Sequence, residues 1–215
     1  MARDHKPSRH RARVIAASVA TLALGGTALA EIPVSAAGKA RGHDVSSHQK
    51  NVDWRKAKSK GARFVTSPCR ASRRARSRAT AYFMRHGGRW RADGMTLPPA
   101  LAIEHNPYSR RKCYGMSRTG MVNWIKSFSD EVKRRTGRRP VIYTTTKWWN
   151  TCTGGSRAYG AHHPLWLARW SSTSGALPKG WSHLTIWQYD NGGRLPGDQN
   201  LFNGSPNQLK RFARG

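Results

Sequence analysis

Hydrophobic residues recur with a helical period in one long stretch of the chain, residues 117–136. Its apolar side chains fall on one face at spacings of four, three and four: Met121, Ile125, Phe128 and Val132. Ser117 is a favourable N-cap for this stretch, and Gly137 is a favourable stop after its last turn. The pattern therefore predicts an amphipathic helix.

Short runs that contain β-branched or aromatic residues predict the strands. They lie at the start of residues 42–49 and at residues 63–65, 101–104, 141–144, 164–168 and 184–189. A short helix that Asp53 can cap and Gly61 can end lies between the first two. Strands that alternate with helical or irregular segments indicate a parallel α/β architecture.

One of these strands, Leu101-Ala102-Ile103-Glu104, carries the most informative chemistry. Residues two apart on a strand point the same way, so Ala102 and Glu104 share one face and Leu101 and Ile103 the other. An inward carboxylate at the C-terminal end of a strand is where an α/β barrel keeps its catalytic acid. Two carboxylates there would form a glycosidase pair, and here one of the two positions is an alanine.

The N-terminus has the pattern of a secretory signal peptide. Residues 1–13 carry five basic residues, residues 14–30 are apolar and small, and the segment ends in Ala28-Leu29-Ala30. The alternative is a membrane anchor, for which about 17 apolar residues is a borderline length. We expect cleavage after residue 30 or near residue 37, a linker over residues 31–41, and one secreted domain over residues 42–215.

The charge of the chain is strongly positive. The whole sequence has a net charge of +29, and without residues 1–30 it keeps 34 basic and nine acidic residues, or +25. Between Trp54 and Ala92 there are thirteen Lys or Arg residues and no acidic residue. Such a surface attracts polyanions such as wall teichoic acids, anionic membranes or nucleic acid, without naming one of them.

Three cysteines are present, so an oxidising compartment would leave one of them unpaired or linked to another chain. Cys113 and Cys152 lie in well-patterned segments, whereas Cys69 does not, and we therefore predict a Cys113–Cys152 disulfide. The spacing of Cys and His residues does not indicate zinc, and we expect His162-His163 to be loop surface rather than metal ligands.

The remaining motifs follow the order of a known family. Asp44-Val45-Ser46 with Gln49 resembles the opening of glycoside hydrolase family 25, the secreted muramidases or Chalaropsis-type lysozymes. Residues 97–101 with Glu104 resemble that family's central acidic strand. The later matches are residues 140–144, 148–149, 152–154, 164–166, 187–189 and 198–204. Together they cover residues 42–65 and 80–212.

The resemblance implies a modified TIM-like β/α barrel that hydrolyses the β-1,4 bond between N-acetylmuramic acid and N-acetylglucosamine in peptidoglycan, without a metal or cofactor. Glu104 matches the general acid of the family, and Asp44 and Asp198 match two other carboxylates of its site. We expect burial and neighbouring carboxylates to keep Glu104 protonated. The predicted substrate-binding residues, on strands that line the groove, are Tyr143, Trp166 and Tyr189.

Two features depart from the family. The acidic strand of the family has the form Asp-x-Glu, and Ala102 stands at the Asp position. About 35–45 residues of the family are absent after residue 65, about one strand–helix–strand passage. The arginine-rich segment 67–80 stands in their place, and we expect it to supply neither a strand nor a helix. The barrel is therefore predicted to be incomplete. The family pattern returns at residues 81–84, which are predicted to be the end of a helix.

Three classes of function stay open: a secreted muramidase of impaired activity, a non-catalytic cationic wall-binding relative, and a cationic protein that acts on membranes or nucleic acid. The lack of a cationic amphipathic helix or of an aromatic-rich nucleic-acid motif argues against the third. The expected partners are peptidoglycan glycan strands and anionic wall polymers, and no specific nucleic acid is expected to bind. We expect the protein to be a monomer without a stable membrane span.

Overall fold

The computed structural model describes residues 38–67, 69–70, 81, 85, 89–105 and 110–215. These residues belong to a compact unit that spans residues 32–215. The predicted signal peptide and most of segments 67–80 and 81–84 lie outside the described residues. Within the described part of the chain, no helix is long and apolar enough to cross a membrane.

The described residues form one eight-stranded sheet and four α-helices. The strands are β1 Arg41–Asp44, β2 Phe64–Thr66, β3 Cys69–Arg70, β4 Ala100–Ala102, β5 Val141–Thr144, β6 Leu165–Ala168, β7 Ile186–Asp190 and β8 Asp198–Phe202. The helices are α1 Trp54–Ser59, α2 Arg118–Thr136, α3 Thr146–Cys152 and α4 Pro206–Arg214. A 3-10 turn, Ser47–Gln49, follows β1.

The strands run in the order β2-β1-β8-β7-β6-β5-β4-β3. Neighbours from β3 to β7 are parallel, as are β1 and β2, which agrees with the predicted α/β class. β8 is antiparallel to both of its neighbours. A connection of seven residues from β7 to β8 is too short for a parallel crossover, so the chain turns back on itself.

The prediction that the arginine-rich segment supplies no strand was wrong, because Cys69–Arg70 forms a strand that pairs with Leu101 and Ala102 of β4. β2 pairs with β1 at the other end of the strand order and stops only three residues before β3 begins. Three Cα–Cα steps span at most about 11 Å, so the two ends of the sheet must approach each other. The sheet is therefore curled, with β2 paired to β1 at one end of the strand order and β3 paired to β4 at the other.

The outer face of the sheet packs against α2 and α3. The predicted face of α2 is fully buried there, together with Leu101 and Ile103. The Ser117 side chain caps α2 by accepting from the Gly120 N–H, and Gly137 ends it with φ +77°. Trp124 is buried as well and stacks on Phe128. The helical period thus predicted both the extent and the buried side of α2.

The inner face of the sheet has its own apolar core, which contains Ala102, Tyr143 and Trp166 with neighbouring side chains from β2, β7 and β8. Ala102 and Leu101 therefore face opposite sides, as the strand alternation predicted. Gly42 of β1 lies directly beneath the Phe64 ring, where a Cβ atom would come within 2.6 Å of it. The inner face is thus closely packed with apolar side chains below the end of the sheet where the parallel strands terminate.

Candidate active site

Three carboxylates meet at the end of the sheet where the parallel strands terminate. Asp44 is the last residue of β1, and Glu104 follows β4 two residues beyond Ala102. Asp198 is the first residue of β8 and lies directly opposite Asp44 in the register. Because β8 is antiparallel, its start reaches the rim at which β1 and β4 end. The structure thus brings together the three acids that the sequence predicted as catalytic.

Asp44 is held by two buried amide side chains. Asn200 donates from Nδ2 to Asp44 Oδ1 at 2.6 Å, and Gln188 donates from Nε2 to the same oxygen at 3.0 Å. Gln188 and Asn200 are 1% and 0% exposed and face each other across β7 and β8. Bonds from two donors to one ionised oxygen fix the Asp44 carboxylate and favour its charged form.

Three aromatic side chains orient those amides. The Tyr143 hydroxyl and the Trp170 indole N–H both donate to Gln188 Oε1, at 3.0 and 3.2 Å. The Trp166 indole N–H donates to Asn200 Oδ1 at 2.7 Å. Since each amide oxygen receives an N–H or O–H donor, each amide nitrogen must point to Asp44. The network therefore sets which atom of Gln188 and Asn200 faces the carboxylate.

The electrostatics of the rim are those of carboxylates that share a poorly solvated site. Burial raises the pKa of Asp44, the charge of Glu104 raises it further, and the two amide bonds oppose the rise. Burial also raises the pKa of Asp198 to about 6, with contributions from Asp44 and Asp190. The pKa of the Tyr143 phenol is raised by burial and by the charges of all three carboxylates. Protons are therefore retained at this rim to higher pH than at isolated carboxylates.

Ala102 occupies the position where a second acid of the β4 strand would stand. It is 1% exposed, lies next to Tyr143 in the register, and packs with the inner core. Its methyl group can neither hold nor accept a proton. The acids available to work with Glu104 at this rim are therefore Asp44 and Asp198, which come from other strands.

The predicted substrate-binding aromatics take different positions. Tyr143 and Trp166 lie on the inner face with ring centroids 4.7 Å apart, and Trp166 is 0% exposed, so its ring offers no open face. Tyr189 packs with Trp187 and Leu201 rather than with these two rings. The assignment of all three to substrate binding stays a prediction.

Sequence reasoning missed Gln188, Asn200 and Trp170 as members of this site. Strand alternation could have found them, because each lies two residues after an inner-face or rim residue. Gln188 follows Ile186, Asn200 follows Asp198, and Trp170 follows Ala168. The alternation rule that placed Glu104 beside Ala102 applies equally to them. An amide within a strand ordinarily indicates a solvent-facing position, so alternation alone does not mark Gln188 and Asn200 as buried site residues.

The predicted disulfide is present and lies away from the rim. Cys113 and Cys152 are joined with their Cα atoms 5.3 Å apart, which ties the loop before α2 to the end of α3. The expectation that His162-His163 is loop surface was wrong for His163, which is 5% exposed and bonded through Nε2 to Ser129 Oγ. In the part of the chain described, His, Cys, Asp and Glu residues form no group that could hold a metal ion.

Comparisons with known proteins point to one family. The family profile described as Glycosyl hydrolases family 25 matches residues 66–198. The N,O-diacetylmuramidase of Arthroderma benhamiae is 39% identical over 209 residues, which cover 83% of this chain and 88% of that protein. The N,O-diacetylmuramidase of a Chalaropsis species is 38% identical over 210 residues, which cover 81% of this chain and 99% of that protein.

The fold also matches that of a solved relative. The family GH25 lysozyme from Aspergillus fumigatus has a TM-score of 0.78 at 35% sequence identity, and the match covers 82% of this chain and 100% of that one. The likeness thus extends over the curled sheet and its helices rather than over one motif.

Proposed function

The chain belongs to glycosyl hydrolases family 25, and from this we propose that it is a muramidase, which hydrolyses the β-1,4 bond between N-acetylmuramic acid and N-acetylglucosamine in peptidoglycan. The observation that carries the proposal is the meeting of Glu104, Asp44 and Asp198 at one rim. Glycoside hydrolysis needs one carboxyl group that gives a proton and one that stays ionised, and this rim brings together carboxyl groups that could take the two roles.

Glu104 is the proposed general acid. It gives its proton to the bridging oxygen as the bond to the anomeric carbon breaks. A water molecule then adds its hydroxyl group to that carbon, and the proton that the water releases passes to a carboxylate of the rim and restores the acid. Asp44 is the proposed anionic partner, because two amide donors fix one of its oxygens. Asp198, with a pKa of about 6, is partly protonated near neutral pH and is better suited to bind substrate polar groups.

The position of Ala102 predicts a weakened enzyme. Loss of one member of a catalytic carboxylate set commonly costs several orders of magnitude in rate, or roughly 4–7 kcal/mol of barrier. The same position favours the second candidate, a non-catalytic wall-binding relative that keeps the groove and has lost the chemistry. The two candidates differ in turnover and not in the polymer they bind.

We propose that the sheet is a TIM-like barrel shortened by one strand–helix–strand passage. The alignment with the Chalaropsis muramidase has 210 positions, while 81% of 215 residues is about 174, so about 36 positions have no counterpart in this chain. β2 and β3, which pair with β1 and with β4, take the place of the missing strand. With this arrangement, neither β1 nor β4 would be left as an unpaired edge of the barrel.

The proposed setting is the outside of the cell, since residues 1–30 have the pattern of a signal peptide and the disulfide suits an oxidising compartment. A cationic surface on and after α1 would attract anionic wall polymers to a monomeric enzyme, and all its members are exposed: Arg55, Lys56, Lys58, Lys60 and Arg63. Binding to walls before and after chemical removal of teichoic acid tests this partner.

A turbidity assay on purified cell walls tests the function. Its arms are the wild-type protein, Glu104→Gln and Ala102→Asp. Clearing by the wild type but not by Glu104→Gln supports a working muramidase. Clearing by Ala102→Asp alone identifies a decayed enzyme. Binding without clearing in all three arms contradicts the catalytic proposal and favours the wall-binding relative.

A further inference from the structure

Trp170 stands at the rim of the candidate active site with most of its ring in solvent. It is 60% exposed, whereas Trp166, four residues earlier, is fully buried. Trp166 and Ala168 face the inner core, so the alternation of β6 carries Trp170 to the same side just beyond the strand's end. A large apolar ring is therefore left open where the parallel strands terminate.

This exposed ring is held in place at three points. The backbone N–H of Arg169 donates to the Gln188 carbonyl at 3.0 Å, and that of Ser171 donates to the Tyr189 carbonyl at 3.2 Å. The Trp170 indole N–H donates to Gln188 Oε1 at 3.2 Å. Both the backbone on each side and one edge of the ring are thus fixed to β7. A ring tied by its edge keeps its faces open and loses little further freedom when a ligand covers it.

The position of the ring links it to the carboxylates. Gln188 accepts the indole N–H on Oε1 and donates from Nε2 to Asp44 Oδ1. A group that lies on the Trp170 ring is therefore one amide side chain away from the proposed anionic partner. The apolar C–H face of a pyranose suits such a surface, because burying it removes apolar area of both rings from water.

We propose that Trp170 is a substrate-binding residue on which one N-acetylated pyranose of the glycan strand stacks beside Asp44. This inference rests on the proposed muramidase function and adds a residue and a contact to it. The ring face supplies the binding, and the N–H bond to Gln188 sets the angle of the ring. Removing the ring should weaken saccharide binding about tenfold, a typical loss for one aromatic stacking contact.

The test measures binding without turnover. Isothermal titration with a soluble peptidoglycan tetrasaccharide is performed on full-length Glu104→Gln protein, alone and with Trp170→Ala or Trp170→Phe. Trp54→Ala is the matched control, because Trp54 is 53% exposed and lies near His43, on the side of β1 opposite to Asp44. We expect about tenfold weaker binding for Trp170→Ala, less than threefold for Trp170→Phe, and no change for Trp54→Ala.

Unchanged affinity of Trp170→Ala overturns the inference, as does the absence of any tetrasaccharide binding by the Glu104→Gln parent. Equal losses for Trp170→Phe and Trp170→Ala also overturn it, because the contribution would then come from the bond to Gln188. If Trp170→Ala weakens binding while the wild type clears no walls, the stacking contact stands and the catalytic proposal fails.

Discussion

The substitution Asn200→Ala tests whether a buried amide side chain favours the charged form of Asp44 against the effect of burial. Asn200 gives the shorter of the two bonds to Asp44 Oδ1, at 2.6 Å, from a fully buried position. A hydrogen bond to a charged group is worth about 1.5–3 kcal/mol, and one pKa unit corresponds to about 1.4 kcal/mol. Because the bond favours the charged form, its loss should raise the pKa of Asp44 and remove about 1.5–3 kcal/mol of preference for the ionised state.

Carbon-13 NMR of the carboxyl groups in protein labelled at aspartate reads this pKa directly and needs no turnover. Asp44→Asn identifies the signal by its disappearance. Asn203→Ala is the matched control, because Asn203 is exposed just after β8 and bonds to the Leu184 carbonyl instead. The control should leave the Asp44 titration unchanged.

A second readout comes from catalysis. If Asp44 must be ionised for hydrolysis, the acidic limb of the pH–rate profile should move to higher pH by the same amount as the NMR titration. An Asp44 pKa that stays within about 0.3 units of the wild type in Asn200→Ala would refute the reasoning, since the charge-assisted bond would then contribute nothing to the ionised state.

Three further outcomes are expected. Ala102→Asp should increase wall clearing by at least tenfold, as measured by turbidity. It should also lower the free energy of unfolding in urea denaturation, because a carboxyl group replaces a methyl group that is 1% exposed. Burial lowers the pKa of His163 from 6.5 to about 4, so the unfolded state binds the proton first and stability should fall by about 3 kcal/mol as the pH drops from 6.5 to 4. His163→Phe should flatten that dependence and His162→Gln should not, in urea denaturation at both pH values. Replacing Cys113 and Cys152 together by alanine should lower the free energy of unfolding by about 3–4 kcal/mol, and an unchanged urea midpoint would contradict this.

Local patterns predicted those parts of the fold that local chemistry decides. The 3.6-residue period and the cap at Ser117 predicted α2 within one residue, a β-branched run predicted β5, and an apolar run around Trp166 predicted β6. Strand alternation placed Ala102 and Glu104 toward the carboxylate rim. These features depend on side chains that are near each other in sequence, so one amino-acid sequence is enough to predict them.

Features decided by long-range pairing could not be predicted in the same way. β3 has no β-forming pattern and exists because β4 offers it backbone partners. Trp166 is fully buried and donates its indole N–H to Asn200, 34 residues later, and neither feature can be predicted from its own strand. Strand alternation places Asn200 and Gln188 on the inner face, but their bonds to Asp44 span 156 and 144 residues of sequence and depend on the pairing of distant strands.

The measurement that tests the central claim most directly is mass spectrometry of the sugar products released from purified peptidoglycan by wild-type protein and by Glu104→Gln. The account predicts fragments with N-acetylmuramic acid at the new reducing end from the wild type, at a low rate, and none from the variant. Fragments with N-acetylglucosamine at that end, or equal release by both proteins, would contradict the assignment of Glu104 as the acid of a muramidase.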